Sequence, residues 1–305
     1  MKKEIVYVGL GKMGKNMVFR LLEKGWKVYA YDTNETAVSE VVRKGAIALA
    51  SIKDMPIRIS APRLVWIMVP AGRPVDEVMF GKNGLTGILQ KNDTVIDGGN
   101  SFYEDTIRRA KKLKSKHIRF MDIGTSGGPR GARNGACLMI GGDKNLSKQL
   151  EPLYQDLAAP HAYAYFGPAG SGHFVKMVHN GIEYGMMQAI AEGFALMKKS
   201  PLKLKMKDIA ELYSRRSVVQ SRLVGWLKDG LELYGENLKS ISGTVGATGE
   251  GEWTVKTAKK MKVPVPIIEG SYQFRVQSRK KPSYAGQVLS VMRNQFGGHE
   301  VRKKK

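Results

Sequence analysis

Over its first half the chain alternates short apolar runs with amphipathic stretches. EIVYVGL (residues 4–10) has the unbroken apolar character of a buried strand. Residues 12–23 then place Met13, Met17, Phe19, Leu21 and Leu22 at helical spacing until Gly25 stops the pattern, and WKVYAYD (26–32) is a second strand. Further strand patterns follow at LVWIMVP (64–70), DTVIDGG (93–99), IRFMDIG (118–124) and ACLMIGG (136–142), separated by helical patterns over 75–80, 103–115 and 146–157. Strands alternating with helices predict an α/β, Rossmann-type doubly wound sheet that is mostly parallel. Beyond Gly170 the strand patterns give way to long helical ones, so an all-α C-terminal domain is expected from 171 to 305 after a first domain of 1–170.

The first strand–helix junction reads YVGLGKMGKNM, with glycines at Gly9, Gly11 and Gly14. After a strand and before a helix, Gly9 suits the tight turn, Gly11 the close approach of backbone to a pyrophosphate, and Gly14 close helix–strand packing. The loop residues Leu10, Lys12 and Met13 belong to the same candidate cofactor site. Asp32 ends the second strand 18 residues beyond Gly14. A carboxylate there accepts hydrogen bonds from ribose hydroxyls and repels a 2′-phosphate, which favours NAD over NADP. The plain alternative makes Asp32 a turn residue ahead of Thr33 and Asn34.

At 305 residues the chain is long enough for two domains of roughly 100 to 200 residues. Its single cysteine, Cys137, cannot form an internal disulfide, and no Cys or His spacing suggests a metal, so a reducing cytoplasmic location and no metal are expected. The first eleven residues read as a strand rather than a signal peptide, and no apolar run reaches the ~18 residues of a membrane span. The 50 basic and 27 acidic residues leave a net charge of +23, which raises encounter rates with anions and suggests nucleic acid as one partner. The lysines are spread along the chain, with clusters at 198–207, 279–281 and 302–305, which fits a solvated surface better than a binding stripe.

The segment GSGHFVKMVHNGIEYGMMQ (170–188) carries more specific chemistry. At the helical period Lys176, His179, Asn180, Glu183 and Tyr184 fall within one arc of about 140°, with Val175, Val178, Ile182 and Met186 on other faces. A solvent-facing polar stripe is the common meaning of such a pattern. Solvated faces are usually Lys and Glu, however, whereas His, Asn and Tyr are hydrogen-bonding pocket residues. Lys176 and Glu183, two turns apart, suit a base and an acid acting on one substrate.

GLGKMGKNM, IMVPAG, VIDGGNSFY, GTSGG, KMVHNGIEYGMMQ and MRNQFGGH, taken in order from Tyr7 to His299, resemble the decarboxylating 6-phosphogluconate dehydrogenases in their short, NAD-type form. The glycine loop and VPAG are shared with the wider β-hydroxyacid dehydrogenases, while KMVHNGIEYG is specific. The resemblance implies NAD-dependent oxidation at C3 of 6-phosphogluconate followed by loss of CO2, giving ribulose 5-phosphate. Lys176 would take the C3 hydroxyl proton and return one to the keto oxygen, which requires a neutral amine at the first step. Glu183 would protonate C1 of the enediol, and Asn180 and His179 would hold substrate hydroxyls. Val69, Pro70 and Ala71 would line the cofactor, Asn100 would sit near nicotinamide and substrate, and Ser126, Gly127 and Gly128 would receive the substrate carboxylate. Tyr184, Arg275 and Arg293 would take the phosphate, with His299 reaching substrate. In the family this last segment enters a neighbouring subunit's site, which implies a homo-oligomer, at least a dimer.

Two plain alternatives accompany these roles: Asn100–Ser101 as a helix cap, and the glycine loop as a turn. Three departures from the family's long form stand out. TGEGEWT puts Thr248 where a phosphate-binding lysine is expected, leaving Arg279 or Lys280 as replacements. Pro129–Arg130 follows SGG in place of an acid, and Asp32-Thr33-Asn34 replaces the NADP-type Asn-Arg-Thr. Two other readings remain open: a 3-hydroxyisobutyrate-type dehydrogenase, which needs neither Arg275, Arg293 nor His299, and a basic nucleic-acid-binding protein, which would show steeply salt-dependent binding.

Overall fold

The computed structural model describes residues 2–246 and 249–301, so Thr248 and the basic 302–305 lie outside the described residues. Chain contacts divide it into two compact units, Met1–Met177 and Val178–Lys305. The division falls inside a helix that begins at Ser171.

In the first unit the elements run β1 (Glu4–Val8), α1 (Lys12–Glu23), β2 (Lys27–Tyr31), α2 (Glu35–Val42), β3 (Ile47–Ala48), α3 (Met55–Arg58), β4 (Leu64–Ile67), α4 (Arg73–Phe80), β5 (Thr94–Asp97), α5 (Tyr103–Lys114), β6 (Arg119–Ser126), α6 (Gly128–Asn134), β7 (Ala136–Gly142), α7 (Lys144–Gln149), α8 (Glu151–Leu157) and β8 (Ala158–Gly167). The sheet order is β3-β2-β1-β4-β5-β6-β7-β8, parallel throughout except where β7 runs against β6. Both faces are covered. Ile5, Tyr7, Trp66 and Ile96 pack with Met17 and Leu21 of α1, while Val6, Val8, Ile67 and Val95 pack with Val75, Met79 and Leu113. Burial on both sides is why these strands read as unbroken apolar runs.

The helix expected over 146–157 is two, α7 and α8, meeting at Leu150, because Pro152 in the first turn of α8 cannot donate to the preceding turn. Five of these elements had no reading in the sequence, among them the short helices α3 and α6. β3 is too short for a pattern, and α2 is announced by Asn34, whose side chain accepts from the Thr36 and Ala37 amides. β8 is half-exposed, and its alternating AYAYF was legible as period two.

The second unit is helical. α9 (Ser171–Lys199) runs into it, followed by α10 (Met206–Tyr213), α11 (Arg222–Tyr234), α12 (Glu250–Lys260), α13 (Pro266–Gln277) and α14 (Tyr284–Gly297). Its core joins Met187, Ala191 and Phe194 of α9 to Leu227 and Leu231 of α11 and to Val288, Leu289 and Met292 of α14.

Candidate active site

Strand order reverses between β1 and β4, so their carboxyl ends and the loops beyond them frame the crevice in which open α/β sheets bind ligands. Gly9 turns there at φ +101°, and a β-carbon on it would stand 2.3 Å from the Met68 carbonyl oxygen. One on Gly14 would stand 2.1 Å from the Gly9 carbonyl oxygen, whereas one on Gly11 meets nothing within 4 Å. The first and third glycines are therefore demanded by the protein's own packing, and the second borders open space. Gly11 is also the N-cap of α1 and has no side chain to cap it, which suits phosphate binding at the helix start. Gly14→Ala should cost roughly 1–3 kcal/mol through overpacking and lower the melting temperature. Gly11→Ala should leave melting within a few degrees yet weaken NADH binding at least about tenfold; fluorescence titration with unchanged affinity would remove the glycine loop from the cofactor site.

Asp32 holds this loop. Its carboxylate accepts from the Leu10 amide at 2.6 Å and the Asn34 amide at 2.8 Å. A carboxylate has about four acceptor positions, so capacity remains for ribose hydroxyls. Lys12 and Met13 open α1, and Val69, Pro70 and Ala71 form the loop after β4, with Val69 and Ala71 half-buried and Pro70 exposed. Asn100 follows β5 and is half-buried. The cap alternative for Asn100–Ser101 does not hold: the N-cap of α5 is Phe102, without a side-chain cap, and the Ser101 hydroxyl instead donates to Asp97 at 2.7 Å. Ser126 ends β6, and Gly127 (φ +123°) turns the chain directly into α6 at Gly128, so this loop is a helix entry rather than a free turn.

The start of α9 is clamped to the sheet. Asp122, fully buried in β6, accepts from the Gly170 amide at 2.8 Å and the His173 amide at 2.9 Å. Burial pushes its carboxyl up, against the opposing pull of His173 and these two amides. His173 in turn shares a 2.8 Å hydrogen bond between Nδ1 and the Thr106 hydroxyl. A β-carbon on Gly124 would stand 2.3 Å from the Lys176 β-carbon, so the lysine stem lies flat on β6. Neither Asp122 nor His173 was singled out in the sequence; the legible signal was an acid inside the apolar run FMDIG, which needs partners once buried.

Along α9 the polar arc is the buried one. Lys176, Asn180 and Tyr184 are 8, 9 and 5 % exposed, while Ile182 is 52 % exposed and Met186 is exposed too. The reading as a solvated stripe is thereby excluded for these three. His179 and Glu183 are half-buried; the His179 Nδ1 shares a 3.0 Å hydrogen bond with the Asn180 Oδ1 and lies 3.9 Å from the Glu183 Oε2.

In the second unit, the Arg275 guanidinium sits over the Tyr184 ring, 3.2 Å from its centroid, and its Nη2 lies 3.7 Å from the Met187 sulfur. The chain at Gly251 passes so close to this ring that a β-carbon would stand 2.5 Å from it. Arg275 is 2 % exposed, and Arg293 of α14 is buried as well. Neither forms an ion pair with a carboxylate among the described residues. Burial pulls the Arg275 guanidinium down to about 10 and also lowers Arg293, against the opposing influence of Tyr184, Glu183 and Glu250. His299 is set apart from the buried arginines in exposure: it is half-buried and stacks edge-on against Phe296 at 5.7 Å. Arg279 and Lys280 are both exposed.

A glycine loop at the switch point of a parallel sheet, followed by a helix with an inward lysine, defines a dinucleotide-binding oxidoreductase with the fold of the β-hydroxyacid dehydrogenases. The model for the NAD binding domain of 6-phosphogluconate dehydrogenase matches residues 4–167, and that for the enzyme's C-terminal domain matches 172–304. The chain belongs to the 6-phosphogluconate dehydrogenase family. It is 40% identical over 301 residues to YqeC of Bacillus subtilis (strain 168), provisionally named a 6-phosphogluconate dehydrogenase, covering 99% of this chain and 100% of that one. It is 36% identical to an NAD(+)-dependent, decarboxylating 6-phosphogluconate dehydrogenase of Haloferax volcanii, covering 97% and 98%. Among solved structures, Plasmodium falciparum 6-phosphogluconate dehydrogenase matches with a TM-score of 0.79 at 29% identity over 91% of this chain and 62% of that one. A 3-hydroxyisobutyrate dehydrogenase from Salmonella typhimurium shares the fold, with a TM-score of 0.74 at 20% identity over 94% and 99%. No helix of the described residues is long and apolar enough to cross a membrane.

Proposed function

We propose that this protein oxidises 6-phosphogluconate with NAD and releases CO2, yielding ribulose 5-phosphate. The observation that carries the reading is the pair of buried guanidiniums, Arg275 and Arg293, without carboxylate ion pairs among the described residues. Two buried cations are costly unless an anion joins them, and a phosphate accepts bidentate arginine hydrogen bonds. A small hydroxyacid whose one carboxylate lies at Ser126, Gly127 and Gly128 brings no second anion for these two guanidiniums.

When bound, NAD supplies the hydride acceptor. The residues that would hold it are Gly9 to Gly14, Asp32, Val69 to Ala71 and Asn100, and the carboxylate at Asp32 supports NAD over NADP. Lys176 takes the C3 hydroxyl proton and gives one to the C3 oxygen as the carboxylate leaves. Glu183 delivers a proton to C1, and Asn180 and His179 orient the hydroxyls. Ser126, Gly127 and Gly128 receive the substrate carboxylate, and Tyr184 stands with the two arginines at the phosphate. The exposed Ile182, Met186 and Leu196 along α9 support a homo-oligomer, in which His299 would serve a partner's substrate.

The test is an absorbance assay with 6-phosphogluconate, in parallel with NAD and NADP, with CO2 trapped alongside. Reduction favouring NAD with one CO2 per NADH is the expected result. Turnover of 3-hydroxyisobutyrate without any of 6-phosphogluconate would replace the substrate and keep the fold.

A further inference from the structure

Arg109 is a fully buried arginine on α5 that the reaction above leaves without a role. Its guanidinium reaches two loops. Toward the loop after β4, Nη2 donates to the Gly72 carbonyl at 3.0 Å, and Nε and Nη2 donate to the two oxygens of Asp76, in the first turn of α4, at 3.0 and 3.2 Å. Toward the loop after β5, Nη1 lies 3.9 Å from Oδ2 of Asp97. Asp97, itself fully buried, accepts from the Gly99 amide at 3.2 Å and from the Ser101 hydroxyl, the residues on either side of Asn100. The two loops also touch directly, since a β-carbon on Gly99 would stand 3.2 Å from the Val69 carbonyl oxygen. Burial alone would raise the Asp76 carboxyl, yet its hydrogen bonds from Arg109 and Arg108 outweigh that and hold it below the usual carboxylate range.

We infer that Arg109 is a positioning residue for the dinucleotide: its guanidinium sets the spacing between the 69–72 loop and the 98–101 loop, and so the geometry in which Val69, Ala71 and Asn100 meet the cofactor. The inference rests on the reading that these loops bind NAD. A planar guanidinium with donors in several directions can serve both loops, whereas a lysine places one charge at one point. A buried arginine that only neutralised Asp97 would not need its bonds to Gly72 and Asp76.

Arg109→Lys and Asp76→Asn test it; the second is the milder change because Asp76 is partly exposed, and it decides the matter should Arg109→Lys fail to fold. Both should raise the NADH dissociation constant and the KM for NAD about tenfold, which is the loss of one to two hydrogen bonds to charged groups. The KM for 6-phosphogluconate and kcat at saturating NAD should stay within about threefold. A general loss of stability would not divide the kinetic constants in this way. Parent-like NADH affinity in Asp76→Asn, or a fall in kcat with unchanged KM for NAD, overturns the inference while leaving cofactor binding by the loops intact. Absence of NADH binding in the unmodified protein would instead remove the reading on which it rests.

Discussion

Lys176→Met is expected to lower kcat by at least about a thousandfold, within the 10²–10⁴ range of general acid–base catalysis, while the NADH dissociation constant changes less than about threefold. Methionine keeps the length and apolar stem of lysine, so the packing against Gly124 on β6 survives and only the amine is lost. The proposed mechanism uses that amine twice, first for the hydroxyl proton and then at the keto oxygen, so the carbonyl intermediate should not accumulate in the variant. Stopped-flow measurement of NADH formation in a single turnover is the direct check. An unimpaired hydride-transfer phase would show that another group is the base, and weakened NADH binding would show that Lys176 supports the fold of the cofactor site instead.

Arg275→Met should separate stability from substrate recognition. A guanidinium pulled from the ordinary value to about 10 by burial is held charged at a cost of about 3 kcal/mol, by the equivalence of roughly 1.4 kcal/mol per pKa unit. The sign follows from the direction: the folded state binds this proton less tightly than the unfolded chain. The cost is therefore present in full below about pH 10 and is relieved only as pH rises above that value. Replacing the charge with an apolar side chain of similar length removes the cost, offset in part by the lost contact with the Tyr184 ring. The ligand-free variant should melt at the same temperature as the parent or higher. Its KM for 6-phosphogluconate should rise about a hundredfold, the worth of one charge-assisted bidentate contact. Inorganic phosphate should raise the melting temperature of the parent and not of the variant. An unchanged KM would move the phosphate elsewhere; a melting temperature lower by ten degrees or so would make the guanidinium structural.

Much of this was legible in the residues. The glycine loop, Asp32 and the strand–helix alternation are local signals, because turn geometry and side-chain period act over a few neighbours. The helix 171–199 and the order of polar groups along it follow from the same period. Elements without a local signal were lost, among them the two-residue β3 and the division of 146–157 at Leu150. Buried Arg109, Asp122 and His173 were also passed over, since an acid in a strand or an arginine on a helix shows its purpose only through distant partners.

The sequence by itself determined the phase of α9: which residues share a side, and that Lys176, Asn180, Glu183 and Tyr184 lie on the same one. Only the tertiary structure decided which side is covered. Hydrophobicity argues for Ile182 and Met186 inward, yet Ile182 and Met186 are exposed and Asn180 and Tyr184 are buried. The physical reason is that burial depends on what packs against a helix. Here Gly251 of α12 admits the Tyr184 ring and Arg275 of α13 lies over its face, so residues far away in sequence enclose the phenol, whose hydroxyl has no hydrogen-bond partner among the described residues.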